Sequence, residues 1–291
     1  MIFFYVLLTV MILLVVFVLI RSNWEIRNFV ITEYNINADI DKKCRLVLLS
    51  DLHSREFGDG NEKLLRAVDE LTPDIVCIAG DMVVGEKKAD FKVASELLEK
   101  LCENRPVFYV YGNHEGRLDK NREKYGDVFE IYLDKLTELT QKGNLYMVNN
   151  QSVEVPGFDD IIVSGLDLDK KYYSKRVKTY MDDSYIESRV GILKKDKYNI
   201  LLSHHPKYFE NYASYGPQLV LSGHYHGGTV RLPKFGGVIS TDYQIFPEND
   251  KGIFKIKNTE MIVSGGLGCH TVNFRLFNLP ELVVVNLNKE K

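Results

Sequence analysis

The chain begins with an unbroken apolar stretch. Residues 1–20 read MIFFYVLLTVMILLVVFVLI and contain no charged side chain. As a helix, this stretch would span about 30 Å, which is the thickness of a bilayer's hydrocarbon core. Its uniform apolarity leaves no polar face of the kind that a helix of a soluble core presents. A cleaved signal peptide would carry a basic start and a small-residue cleavage site, and neither is present here. We therefore predict an uncleaved transmembrane anchor over residues 1–22.

Apolar positions after the anchor alternate between the spacing of strands and the spacing of helices. Residues 23–44 are predicted to be a juxtamembrane segment with a first strand, and residues 45–291 a single domain. In the first half of the chain, the residue pattern predicts strands at Asn28–Ile36, Arg45–Ser50, Asp74–Ala79 and Val107–Tyr111. Helical spacing occurs over Asn61–Leu71, Ala89–Cys102 and Tyr125–Thr140. Such strand-helix alternation indicates a parallel sheet covered by helices.

The second half of the chain is richer in strands. Helices are predicted at Ser184–Leu193 and Tyr208–Tyr215. The predicted strands are Leu145–Val148, Ser152–Val155, Ile161–Ser164, Asn199–Ser203, Leu219–Ser222, Ile253–Ile256, Met261–Val263 and Leu282–Val285. These are too many for one small sheet. The fold class is therefore predicted to be α/β, with two packed mixed β-sheets flanked by helices and preceded by the transmembrane helix.

Composition narrows the class of protein. The 291 residues are 26% charged and 45% hydrophobic, with 37 Lys and Arg against 40 Asp and Glu. These values exclude a disordered chain, a collagen and a multi-span transporter. The chain has no excess of positive charge, so a nucleic-acid partner is not expected. Arg21 and Arg27 lie on the C-terminal flank of the apolar stretch and favour a cytoplasmic domain, although two arginines leave the side of the membrane open. The four cysteines form no C-x-x-C pair and are expected to act as small hydrophobic residues.

Polar clusters follow five of the predicted strands. They read Asp51-Leu52-His53, Gly80-Asp81, Gly112-Asn113-His114-Glu115, Ser203-His204-His205-Pro206 and Ser222-Gly223-His224-Tyr225-His226. The carboxyl ends of parallel strands meet at one edge of a sheet, so these clusters are expected to converge. On extended backbone, the i and i+2 side chains of D-x-H and H-x-H would project to the same side. The glycines before Asp81, Asn113 and His224 would allow tight turns and close backbone approach.

The converging side chains form a mixed set of metal donors. The candidate ligands are Asp51, His53, Asp81, Asn113, His204, His224 and His226. Imidazole, carboxylate and amide groups suit Mn, Fe or Zn better than a thiolate site or a calcium cage. Seven ligands are more than a single tetrahedral zinc site takes, and they suit two divalent metal ions that share a carboxylate.

The order D-x-H, G-D, G-N-H-E, H and G-H-x-H resembles the calcineurin-like metallophosphoesterase superfamily. The anchor and the run Gly227-Gly228-Thr229-Val230-Arg231-Leu232-Pro233 resemble its membrane-associated bacterial branch. The resemblance implies a first metal held by Asp51, His53 and His226. It implies a second metal held by Asn113, His204 and His224, with Asp81 bridging both. It further implies a bridging hydroxide as the nucleophile that attacks phosphorus and His114 as the catalytic residue facing the substrate.

Several assignments keep alternatives. The position before Pro206 favours His204 over His205 as the ligand, and Glu115 is a candidate to orient His114. His270 and the lysine pairs, including Lys170 and Lys171, are expected on the surface. A non-catalytic metal-binding scaffold on the same fold is the alternative function, and a nuclease is a weaker one. The expected partners are a phosphoester substrate, for which a lipid-linked compound is reasonable, and the cell membrane through a single pass. Monoester or diester preference and oligomeric state stay open.

Overall fold

Two six-stranded sheets pack against each other in the computed structural model, which describes residues 1–85, 91–125, 127–175, 179–269 and 272–289. The helices are α1 Ile2–Glu25, α2 Glu62–Leu71, α3 Lys92–Cys102, α4 Asn113–Asp119, α5 Arg122–Tyr125, α6 Asp127–Gln141, α7 Tyr185–Val190 and α8 Phe209–Tyr215. Short 3-10 turns lie at Asp59–Asn61, Lys170–Tyr173 and Pro206–Tyr208. The strands are β1 Val30–Ala38, β2 Cys44–Leu49, β3 Ile75–Ala79, β4 Val107–Val110, β5 Leu145–Met147, β6 Gln151–Val155, β7 Phe158–Leu166, β8 Tyr198–Ser203, β9 Leu219–Ser222, β10 Arg231–Leu232, β11 Gly236–Gly237, β12 Gly252–Ile256, β13 Thr259–Val263 and β14 Glu281–Lys289.

The strand order explains why the polar clusters converge. The first sheet has the order β1-β14-β2-β3-β4-β5 and the second has the order β12-β13-β9-β8-β7-β6. Strands β2, β3 and β4 are parallel neighbours, and so are β8 and β9. Antiparallel pairs occur at β14–β2, β12–β13 and β6–β7, so both sheets are mixed. The predicted fold class of two mixed sheets flanked by helices is confirmed.

Alternation within the strands builds three apolar layers. In β2, Leu46 and Leu48 face the second sheet, whereas Val47 and Leu49 face the helices of the first sheet. Both faces of β2 are therefore buried, which explains its nearly continuous apolar sequence. The outer face of the second sheet is covered by α7 and α8. The sheet-sheet layer holds the two sets of strand ends together, and this positions the candidate site.

Some element boundaries differ from the sequence predictions. The first strand runs from Val30 to Ala38 because all nine residues pair in parallel with β14. Helix α4 begins at Asn113, a segment for which the sequence predicted no helix. It starts there because the Glu115 carboxylate accepts a hydrogen bond from the backbone N–H of Gly112 at 2.9 Å. The start of the predicted helix Ala89–Cys102 and His270 lie outside the described residues.

Helix α1 is exposed along its apolar length and attached to the domain at its end. An 18-residue stretch of α1 has a mean hydropathy of 3.2 and is 0% buried. By length and composition, the helix is therefore long and apolar enough to cross a membrane. Its last turn is different, because Ser22 and Glu25 are buried. The four cysteines are free, and three of them are buried, as expected for small hydrophobic residues.

Candidate metal centre

The loops after β2 and β9 bring three predicted ligands together. His226 Nε2 lies 3.3 Å from Asp51 Oδ1 and 3.2 Å from His53 Nε2. The rings of His53 and His226 are stacked, with centroids 5.1 Å apart. All three side chains are buried, and their potential donor atoms lie within 4.8 Å of one another. This first group has the spacing that a single cation needs.

The loop after β3 places Asp81 between this first group and a second one. Asp81 Oδ2 lies 3.0 Å from His204 Nε2 and 3.9 Å from His53 Nε2. Asp81, His204 and His224 also have donor atoms within 4.8 Å of one another. The Asp81 carboxylate is thus within reach of both groups. Asn113 lines the same cavity as His53 and His224.

The backbone at these loops is left-handed, which the sequence interpretation missed. Positive φ angles of 49–69° occur at Asp51, His53, Asp81, His224 and His226. The expectation that the D-x-H and H-x-H pairs use extended backbone is therefore wrong. Left-handed backbone costs a non-glycine residue roughly 1–2 kcal/mol, so surrounding contacts must hold it in place. Two such contacts run between the loops, since Asp51 N donates to Gly80 O and His53 N donates to Asp81 O, each at 3.0 Å.

Glycines allow the loops to approach one another. A Cβ atom on Gly112 would lie 2.2 Å from Asp81 Oδ1, and one on Gly223 would lie 2.3 Å from Asp51 Oδ2. These contacts are far shorter than van der Waals distance. The glycines predicted to permit close approach therefore make room for the two carboxylates.

Buried carboxylates and imidazoles strongly perturb one another. Burial raises the pKa of Asp51, whereas His204 outweighs the burial of Asp81 and holds the pKa of that carboxyl well below its usual range. Burial opposes the charged form of His204, but Asp81 and Asp51 outweigh it and raise its pKa to about 10. Nδ1 of His204 lies 2.6 Å from the carbonyl oxygen of Ala79, to which it donates, so Nε2 faces the carboxylates.

The donor set fits divalent cations. The amide oxygen of Asn113 is buried and has no hydrogen-bond partner within the part of the chain that the structure describes. Asp51 and Asp81 are buried carboxylates, which are stable in a protein interior only when cations or donors compensate their charge. Nitrogen and oxygen donors in this mixture suit Mn, Fe or Zn.

His114 and Glu115 take different positions beside this centre. The backbone N–H of His114 donates to Asp81 Oδ1 at 2.8 Å, and its ring Nδ1 accepts from Gly85 N at 2.8 Å. Burial lowers the pKa of His114. The Glu115 carboxylate accepts from the backbone N–H groups of Asp81, Met82, Val83 and Gly112 and from the Tyr109 hydroxyl. Glu115 thereby holds the Asp81 loop, a role different from the expected orientation of His114.

Asp242 is a buried residue of this centre that sequence reasoning missed. Its carboxylate lies 3.1 Å from His205 Nε2 and 3.3 Å from His224 Nε2. Burial opposes ionisation of Asp242, but the adjacent imidazoles of His205 and His224 outweigh it and lower its pKa. Asp242 follows no predicted strand, so no signal in the local pattern marked it. His205 was predicted to be only the neighbour of the ligand His204. It is fully buried in this group, and its ring stacks on Tyr173.

A cavity of about 1000 Å³ opens over the centre. Its wall includes His53, Asn113, His114 and His224. Five cationic side chains line it, whereas its one acidic lining residue within the described ranges is the buried Asp242. The cations are Arg117, Lys120, Lys170, Lys171 and Lys175. Lys170 and Lys171, predicted as surface lysines, are exposed and lie at this opening. The cavity is therefore electrostatically suited to an anionic ligand.

Comparison with known proteins assigns the family. The family model described as calcineurin-like phosphoesterase matches residues 44–228. The protein named uncharacterized metallophosphoesterase Cj0846 of Campylobacter jejuni is 29% identical over 87% of this chain, which spans 61% of that relative's length. UDP-2,3-diacylglucosamine pyrophosphatase LpxG of Chlamydia muridarum is 24% identical over 83% of this chain and 82% of its own. The crystal structure of TT1561 of Thermus thermophilus aligns with a TM-score of 0.48 and 16% identity, covering 77% of this chain and 90% of its own. The chain belongs to the calcineurin-like phosphoesterase family.

Proposed function

We propose that this protein is a membrane-anchored phosphoester hydrolase that uses two divalent metal ions. The observation that carries the proposal is the placement of two buried carboxylates, Asp51 and Asp81, among four imidazoles in two adjoining groups. In this proposal Asp51, His53 and His226 hold one ion. Asn113, His204 and His224 would hold the other, and Asp81 would be within reach of both. Divalent ions bound there would supply positive charge for the phosphoryl oxygens and lower the pKa of water, the source of the attacking hydroxide.

His114 is the proposed catalytic residue. Because Gly85 N–H donates to its Nδ1, the neutral ring carries its proton on Nε2. The ring lines the cavity, where Nε2–H would donate to a phosphoryl oxygen or protonate the leaving oxygen. The hydrogen bond from its backbone N–H to Asp81 Oδ1 fixes His114 relative to the Asp81 carboxylate. The cationic side chains around the cavity would draw in and orient the anionic substrate.

The proposed substrate class is a phosphoester carried on a lipid. Helix α1 supports a single-pass attachment to the cell membrane, which would hold the cavity near a bilayer. The relative LpxG, which aligns over 82% of its own length, is named for a substrate that carries two acyl groups. The domain boundaries in this proposal are the anchor at 1–22, the segment 23–44 and the catalytic domain 45–291.

The test uses the full chain purified in detergent, stripped with a chelator and reloaded with Mn, Fe or Zn. Hydrolysis is measured on a panel of aryl phosphomonoesters, aryl phosphodiesters and lipid-linked phosphoesters, together with metal stoichiometry. Asp81→Ala is expected to lose metal and activity, whereas Asp134→Asn, at an exposed position on α6, is expected to keep both. Wild-type turnover in Asp81→Ala would refute the two-metal proposal. Full metal loading without activity on any substrate would favour the non-catalytic scaffold.

A further inference from the structure

Exposed apolar side chains are concentrated in one region outside α1. Among the described residues after α1, 13 large hydrophobic side chains are exposed, and eight of them lie between residues 232 and 246 or at 272 and 277. We call these eight the apolar rim: Leu232, Phe235, Ile239, Tyr243, Ile245, Phe246, Val272 and Phe277. Phe235 and Ile245 are 72% and 73% exposed. Exposed apolar side chains concentrated in one region mark an interaction site.

Backbone hydrogen bonds join the segments of the apolar rim into one surface. Arg231 N donates to Leu276 O at 3.0 Å, which links the first segment to the second. Val238 N donates to Val230 O at 2.8 Å, and Phe246 N donates to Val238 O at 3.0 Å. The rim is therefore a folded part of the domain.

The apolar rim is continuous with the end of α1. The Glu25 carboxylate accepts hydrogen bonds from the backbone N–H groups of Phe277 and Asn278, both at 3.0 Å. Ser22 Oγ accepts another from Arg275 N at 3.2 Å. The Arg21 guanidinium lies 5.9 Å from the centre of the Phe277 ring. The rim thus adjoins the end of α1 at Phe277.

Charge around the rim fits the surface of a bilayer. Between residues 229 and 250, Lys234 and Glu248 are exposed charged side chains, whereas Asp242 and Asp250 are buried. The Lys175 ammonium lies 4.5 Å from the centre of the Tyr243 ring. Aromatic and aliphatic side chains flanked by lysines are typical of segments that lie in the headgroup layer of anionic membranes.

An apolar groove connects the rim with the metal centre. The groove has a volume of about 300 Å³ and is lined by Ile239, Tyr243 and Val272 of the rim and by His226 of the centre. It shares Lys175, Thr241 and Cys269 with the larger cavity over His53 and His224. An amphiphile could therefore place its apolar part against the rim and its phosphoester at the centre.

We propose that the apolar rim inserts into the headgroup layer of a lipid bilayer at the base of α1. The larger cavity then opens at the level of the lipid headgroups, and the groove receives an acyl chain of the substrate. This inference rests on the proposed membrane anchoring and adds to it that the catalytic domain itself contacts the bilayer in one orientation.

The test measures which positions contact acyl chains in the full chain, reconstituted in nanodiscs that contain phosphatidylglycerol and acyl-brominated phosphatidylcholine. The chain has one tryptophan, Trp24, so wild-type fluorescence reports the end of α1. In a Trp24→Phe background, Phe235→Trp and Ile245→Trp report the rim. Ile192→Trp, at a position 76% exposed and outside the rim, is the matched control. Interfacial side chains lie about 5–10 Å into the boundary, so rim reporters are expected to lose roughly half of their fluorescence and the control little.

The outcomes separate this inference from the proposed anchoring. Quenching of Trp24 without quenching at positions 235 and 245 would overturn the rim inference and leave the anchor intact. Absence of quenching at Trp24 would overturn the anchor as well. A second variant, Phe235→Asp with Ile245→Asp, is expected to lower kcat/KM on a lipid-linked phosphoester in vesicles roughly tenfold. Its turnover of a soluble aryl phosphodiester is expected to stay at the wild-type value, and equal losses on both substrates would contradict the inference.

Discussion

Replacing Glu115 with glutamine tests whether one buried carboxylate holds the loop that carries Asp81. Glu115 is 0% exposed. Its Oε2 accepts from the backbone N–H groups of Asp81 and Gly112, both at 2.9 Å. Its Oε1 accepts from Met82 N at 2.7 Å, Val83 N at 3.2 Å and the Tyr109 hydroxyl at 2.9 Å.

The cost of Glu115→Gln follows from this arrangement. Glutamine has one side-chain oxygen, so its NH2 group must face at least the two donors that now contact Oε2. A buried donor left without an acceptor costs about 1–3 kcal/mol, so the free energy of unfolding is expected to fall by about 2–6 kcal/mol. In domains of comparable size each kcal/mol shifts Tm by about 2–4 °C, which predicts a decrease of at least about 4 °C.

The assay is thermal unfolding of the full chain in detergent, followed by circular dichroism. Glu70→Gln, on the exposed face of α2, makes the same chemical change without a buried hydrogen bond and is the matched control. The Glu115→Gln variant is also expected to bind metal more weakly, because the Asp81 loop loses its acceptor. If its Tm matched that of Glu70→Gln, the structural role assigned to Glu115 would be refuted.

Three further predictions concern other contacts of the centre and its surroundings. Asp242→Asn removes the carboxylate that contacts His224 Nε2, and by analogy with other partners of metal-binding histidines it should weaken metal affinity about 10–100-fold, measured by calorimetry; an unchanged affinity would contradict this role. Gly223→Ala places a Cβ 2.3 Å from Asp51 Oδ2, so metal content should drop sharply, and a fully loaded variant would contradict the geometry. Burial raises the pKa of Asp167 from 3.8 to about 6. The folded state therefore favours the neutral carboxyl, whose stabilisation of the fold is complete below pH 3.8 and is lost as the pH rises through 6. Asp167→Asn should therefore stabilise the protein by at most about 3 kcal/mol at pH 8 and have little effect at pH 4; equal changes in Tm at both pH values would contradict this.

The local pattern of the sequence was enough to predict the architecture and to indicate which polar clusters lie close together. Alternating apolar positions located strands such as β2 and β3, since a strand buried on both faces must be apolar along its length. Asp51 and Asp81 could be placed at one edge because both follow parallel strands. Helix α1 could be predicted because its twenty uncharged residues form one continuous stretch, and recognising it requires no knowledge of tertiary contacts.

Tertiary structure alone decided how these groups are held and what surrounds them. The left-handed backbone at His53 and His226 is stabilised by contacts between loops that lie far apart in the chain, and local spacing does not encode such contacts. Asp242 reaches His224 because the loop after β11 folds back over the centre. Exposure of Phe235 likewise depends on which surfaces remain uncovered after packing. The sequence thus determined which residue types follow each strand. Only folding determined their distances, their protonation partners and the apolar rim beside α1, because these depend on contacts between distant segments.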